Sequence, residues 1–158
     1  MQRPGLAEEP EHRPLTARGE ATRQRILEAA RQEFGEKGFH AASVSSITTR
    51  ANVGQGTFYI YFNSKDACYA NVVRGIGQAI RAEVARATSG KGTMERGMVA
   101  GLQAFLDFTV GNPGLFRIIR EAQFVHEAAF REHYERLVGG YADALERLVS
   151  TGECRSGD

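Results

Sequence analysis

Gln55, Thr57, Tyr59 and Tyr61, followed by Lys65, gather an amide, a hydroxyl, two phenols and an ammonium group into one short stretch of chain. Amides and hydroxyls can bond the edges of bases in a DNA groove, while phenols and ammonium groups can bond phosphate oxygens. That chemistry requires the polar side chains to be held outward. Phe58 and Phe62, four residues apart, do so if the segment is helical, because both then fall on one inward face. Gly56 has no side chain and lets the start of that helix come close to a partner, and helix N-termini attract anions such as phosphate.

The segment before it supplies a support. Val44, Ile47 and Ala51 share one helical face, and Ser43 stands where an N-cap would, so a short helix is predicted over 44–51. Asn52-Val53-Gly54 is the turn: Asn and Gly tolerate positive φ, and Val53 can plug the angle between the helices. Two short helices joined by a tight turn make a helix-turn-helix pattern. In it Ser45, Gln55, Thr57 and Tyr59 reach base edges or nearby phosphates, and Tyr61 and Lys65 anchor the backbone. A preceding helix over about 21–37, with Ile26, Leu27, Ala30 and Phe34 on one side and Gly38 as its stop, supports this unit. Thr22 and Arg23 at its start can touch phosphate, with Arg18 and Arg25 nearby.

Beyond the motif, Ser64 caps a long helix over about 65–87, with Asp66 in its first turn and Tyr69, Val72, Val73, Ile76, Ile80 and Val84 as its apolar stripe. Gly75 and Gly77 inside it mark either a flexible point or a close packing site. Ser89-Gly90-Lys91-Gly92 is a turn and a candidate domain boundary. Further helices follow over 94–110 (Met98, Leu102, Phe105, Leu106, Phe108), after a break at Asn112-Pro113-Gly114 over 115 to 124 or 125, and over 127–150 (Phe130, Tyr134, Leu137, Val138, Tyr141, Leu145, Leu148). No strand or internal repeat is expected. Residues 1–19, with Pro4, Pro10 and Pro14 and few large apolar side chains, read as a disordered arm, and Glu8, Glu9 and Glu11 oppose a minor-groove role for it.

Charge and composition narrow the classes. Residues 18–90 carry ten Lys/Arg against six Asp/Glu, whereas residues 91–158 carry eight against ten, so the half with the motif is the basic half. Cys68 and Cys154 belong to no metal-spaced cluster, which indicates neither a zinc site nor a disulfide framework and suits a reduced cytoplasm. No apolar run approaches the ~20 residues of a membrane span, and the N-terminus lacks the apolar core of a signal peptide. No enzyme is indicated either. His126-Glu127 and His133 make no HExxH pair, no serine sits in a nucleophile elbow, and Gly54-x-Gly56 follows no strand.

Several spaced elements agree with a known family. Thr22-Arg23-Gln24-Arg25-Ile26-Leu27-Glu28-Ala29-Ala30, Phe34, Gly38-Phe39, Ser43 to Ile47, and Gly56-Thr57-Phe58-Tyr59-x-Tyr61-Phe62-x-Ser64-Lys65-Asp66 together resemble the DNA-binding domain of the TetR/AcrR family of bacterial repressors, over roughly residues 20 to 70. Gly54 stands where that family usually has a Ser cap, Asn52 where Gly is usual, and Thr48 where Ala is common. The resemblance implies an all-α fold. A three-helix DNA-binding domain at 20–66 is joined by a long helix to a helical ligand-binding and dimerisation bundle at 67–158, behind the arm at 1–19. The DNA-contact set is then Thr22, Arg23, Ser43, Ser45, Gln55, Gly56, Thr57, Tyr59, Tyr61 and Lys65.

The family also implies a function: a ligand-responsive transcriptional regulator, a repressor, binding a palindromic operator as a homodimer and released by a lipophilic small molecule, with no cofactor or metal. Phe105, Phe108, Phe116, Ile119, Phe124, Phe130 and Tyr134 are the candidate pocket, although the same side chains could simply fill a core. Residues 152–158 look like the loop after which family members continue with two dimerising helices, so those last helices are expected to be missing. The alternative reading is a ligand-binding or protein-interaction module without productive DNA binding.

Overall fold

The computed structural model describes residues 16–90, 92–150 and 152, with side chains for all of these but Met94 and Leu148. Of the arm expected at 1–19, residues 1–15 lie outside the described residues and residues 17–19 instead open the first helix; Cys154, the side chain of Leu148 and the segment 153–158 also lie outside. The described residues form seven helices: α1 (Ala17–Lys37), α2 (Val44–Ala51), α3 (Gln55–Tyr61), α4 (Lys65–Thr88), α5 (Met94–Gly111), α6 (Pro113–Val125) and α7 (Glu127–Ser150). No strand occurs among them.

Local chemistry sets most of the ends. Thr16 caps α1 by accepting from the Gly19 amide at 3.2 Å, so the helix begins four residues before the expected start at 21. Ser43 and Ser46 cap α2 reciprocally: the Ser46 amide donates to Ser43 Oγ at 3.0 Å and the Ser43 amide to Ser46 Oγ at 3.1 Å. In α6 the expected break and the helix start coincide, because Pro113 at the first position has no N–H to lose and a φ already helical.

A single apolar cluster joins α1, α2, α3, α4, α6 and α7, and Phe105 and Phe108 of α5 pack half-buried against it. Tyr69 of α4 stands near its centre, fully buried, with its ring 5.0 Å from both Phe34 and Phe39 in edge-on contact. Its hydroxyl donates to the Ile118 carbonyl of α6 at 2.6 Å, which satisfies the one polar atom the ring carries inside. Burial pushes that phenol well above its usual range. Burial also lifts the neighbouring Cys68 thiol to about 12, so it stays protonated and inert.

The N-terminal helices are latched to the remainder through α6. Gly35 of α1 and Gly114 of α6 cross so closely that a Cβ on Gly114 would lie 2.9 Å from the Gly35 Cα. Next to this crossing the Phe39 amide donates to Glu121 Oε2 at 2.8 Å, and Arg117 donates to the Glu36 carbonyl at 2.5 Å.

Of the two glycines of α4, Gly75 faces open space, while Gly77 is a packing site: a Cβ there would meet His133 Nδ1 of α7 at 2.7 Å. His133 is buried, and its Nδ1 has no hydrogen-bond partner among the described residues. Burial first, and the charge of Arg81 second, hold its pKa below the usual 6.5. The folded chain therefore takes up this proton less readily than the unfolded chain. As pH falls below about 6.5 the unfolded state binds more protons, and stability declines. Melting temperatures measured from pH 7.5 to 5 are expected to fall with acidification, and His133→Gln should flatten that slope. An unchanged slope in the variant would contradict this assignment.

The apolar stripes of α5 and α7 lie largely outside the core. Met98, Leu102 and Leu106 of α5 and Val138, Tyr141 and Leu145 of α7 are exposed, even though each set shares a helical face. The periodicity is present, but no element among the described residues covers it.

Candidate nucleic-acid interface

The turn between α2 and α3 sets the angle of the second helix. Asn52 takes the left-handed conformation alone, at φ 53° and ψ 52°, and the Val53 amide returns to the Thr48 carbonyl at 3.0 Å. Gly54, at φ −74°, is extended and caps α3 through its own carbonyl, which accepts from the Thr57 amide at 3.0 Å. Of the two residues expected to supply positive φ, only Asn52 does so.

Phe58 (0% exposed) and Phe62 (3%) pin α3 to the core, their rings 5.5 Å apart. With those two inside, helical geometry turns the strip at i, i+1, i+4 and i+5 outward. Gln55, Gly56 and Tyr59 are exposed as expected. The fourth member of the strip is Ile60, 75% exposed, which the sequence reading passed over. Leaving it in water forgoes roughly 1.5–3 kcal/mol of burial. Thr57 is half-buried at the edge of the strip, and Tyr61 packs half-buried against the core.

The remaining candidates are arranged around this strip with their polar atoms partly committed. Ser43 is the α2 cap, and the exposed Ser45 lends its carbonyl to the Thr48 hydroxyl at 3.1 Å. Thr22 donates to the Arg18 carbonyl at 3.0 Å. Arg23 donates to Asn71 Oδ1 at 2.8 Å and lies 5.6 Å over the Phe62 ring, bracing α1 on α4. Lys65 donates to the carbonyls of Phe39 and Ala42 at 2.8 and 2.9 Å and sits 4.2 Å over the Phe39 ring. Two of its three ammonium hydrogens are thus used to close the loop before α2, which leaves one for a phosphate.

Glu33 and Arg50 were not singled out in the sequence. Glu33 of α1 is buried and takes Arg50 of α2 at 2.8 Å and Lys37 at 2.7 Å. Arg50 also grips Glu36 through two bonds of 2.8 and 2.6 Å. Burial is the strongest influence on the Glu33 carboxyl and opposes ionisation. Hydrogen bonds from Lys37 and Ser46 and the charges of Arg50 and Lys37 together outweigh it and hold the group below its usual range. The cluster ties α2 to α1 and so fixes the platform on which α3 sits.

The seven side chains of the expected ligand pocket do not meet in one cavity. α6 turns Leu115, Ile118 and Ala122 inward, which leaves Phe116 (66% exposed) and Phe124 (84%) on its outer face. Phe124, Phe130 and Tyr134 line an open groove of about 420 Å³ with Gln123, Glu127, Arg131 and Glu135. Phe108 belongs to a different groove of about 500 Å³ beside Glu83, Arg86 and Gln103. Phe105 and Ile119 pack against the core. Among the described residues no cluster of His, Cys, Asp and Glu could hold a metal ion, and no helix is long and apolar enough to cross a membrane.

A three-helix unit with an exposed strip on the second helix of a helix-turn-helix, continuous with a helical bundle, defines a helix-turn-helix regulator fold. Residues 26–72 match the profile described as bacterial regulatory proteins, tetR family. The chain is 30% identical over 141 residues to the HTH-type transcriptional repressor SCO4008 of Streptomyces coelicolor, a match covering 84% of this chain and 69% of that one. It is 39% identical over 67 residues to the HTH-type transcriptional regulator YdgC of Bacillus subtilis, covering 42% of this chain and only 34% of the relative. The fatty acid degradation regulator FadR from Bacillus halodurans has a similar fold, with a TM-score of 0.67 at 20% identity over 89% of this chain and 70% of that one. The chain belongs to the TetR family of bacterial regulatory proteins. These relatives are transcription regulators, not enzymes.

Proposed function

We propose that this chain is a ligand-responsive transcriptional repressor that binds a palindromic operator in the cytoplasm as a homodimer, through the helix-turn-helix at 43–62. The observation that carries the reading is the outward strip of α3, in which Gln55 and Tyr59 are exposed while Phe58 and Phe62 hold the helix in place. Ser45, Thr57 and Gly56 extend the contact area, and Thr22, Arg23, Ser43, Tyr61 and Lys65 border it toward the phosphates. A lipophilic inducer would be sensed in the α4–α7 region, where the groove at Phe124, Phe130 and Tyr134 is the nearest approach to a ligand site. Its effect would reach α3 through α4, whose Tyr69 is bonded to α6, and through the α1–α6 crossing.

A second reading, a ligand-binding or protein-interaction module that does not bind DNA productively, is favoured by the uncovered apolar faces of α5 and α7. Selection of the full chain against a randomised duplex pool separates the two. A DNA reader enriches one inverted repeat and loses affinity steeply as salt rises, because phosphate contacts release counterions. A pool that emerges unenriched would overturn the repressor reading.

A further inference from the structure

We propose that Ile60 is a specificity-determining residue that reads a thymine methyl group in the major groove. The inference rests on the DNA-binding reading above. Between residues 16 and 90, the large apolar side chains that are exposed among the described residues are Tyr59 (54%) and Ile60 (75%), and both lie on α3. The DNA-binding half thus buries or half-buries its other large apolar groups and leaves two exposed on the one helix that has to meet a partner. Tyr59 retains a hydroxyl for a base edge or phosphate. Ile60 has no polar atom and can contribute only apolar contact.

The major-groove edge of a base pair offers one apolar feature, the 5-methyl group of thymine, alongside its donors and acceptors. Helical side chains lean toward the N-terminus, so Ile60 leans over the residue four before it, Gly56. A Cβ built at Gly56 meets nothing within 4 Å, so the space beside Gly56 is open to a partner.

The test uses the duplex enriched from the randomised pool, with each thymine of a half-site replaced singly by uracil, which keeps base pairing and removes only the methyl. Wild-type chain should lose about fourfold in affinity at one position, the ratio that one buried methyl corresponds to. Ile60→Ala should bind the thymine and uracil duplexes at that position equally, with the salt dependence of binding unchanged because no charge is lost. Ile60→Val, which keeps the branch, should retain the discrimination.

The proposal is overturned if the wild-type chain is indifferent to every replacement. It is also overturned if Ile60→Ala discriminates as the wild type does, which would assign the methyl to another side chain such as Tyr59. In both cases sequence-selective binding by the wild-type chain still stands. A chain that enriches no duplex overturns both readings, and it does so before the uracil series is reached.

Discussion

Gln55→Ala combined with Tyr59→Ala is expected to weaken operator binding by roughly 2–4 kcal/mol, about thirty- to a thousandfold, while leaving the fold intact. Both side chains stand outside the core, and Tyr59 is 54% exposed, so removing them creates no cavity. Neither carries charge, so non-specific binding and the slope of affinity against salt should barely change. Fluorescence anisotropy on operator and on scrambled duplex, with a thermal melt of each protein, measures all three quantities. Operator affinity within twofold of wild type would show that these side chains read nothing.

Phe58→Ala acts at the other end of the same design. The ring is fully buried on the inner face of α3, 5.5 Å from Phe62 and 5.4 Å from Tyr59. Truncating such a ring to alanine costs about 3–5 kcal/mol through lost burial and the cavity left behind. Domains have only about 5–15 kcal/mol to lose. Urea unfolding should move to a clearly lower midpoint, and because α3 is only seven residues long it cannot hold its shape without the anchor. A change below about 1 kcal/mol would mean that α3 is held by something other than this ring.

Much of the site was legible because its determinants are local. The ends of α2 and α3 follow from Ser43, Asn52 and the spacing of Val44, Ile47, Ala51, Phe58 and Phe62, all within twenty residues of chain. The stripe of α4 was equally readable, since Tyr69, Val72, Val73, Ile76 and Ile80 are all buried. Contacts between distant segments left no such trace. Nothing in the pattern says that Lys65 folds back onto the Phe39 and Ala42 carbonyls, that Arg50 serves Glu33, or that Arg23 braces Asn71. Periodicity also shows which residues share a face but not whether anything covers it, and Leu102, Leu106, Val138 and Tyr141 share their faces yet stand in solvent. Phe116 and Phe124 were assigned to a pocket by residue type, and α6 turns them outward because Leu115, Ile118 and Ala122 already occupy its inner face. Ile60 was not singled out in the sequence, although the inward pair Phe58 and Phe62 already turns its position outward.

In the proposed complex the Gln55–Ile60 strip of α3 lies in the major groove of DNA. Methylation interference on the enriched duplex tests it most directly, because guanine N7 lies in the major groove and adenine N3 in the minor groove. Methyl groups at guanine N7 within each half-site are expected to block binding, and the block should weaken in the Gln55→Ala, Tyr59→Ala protein. Interference confined to adenine N3, or absent from both grooves, would contradict the account.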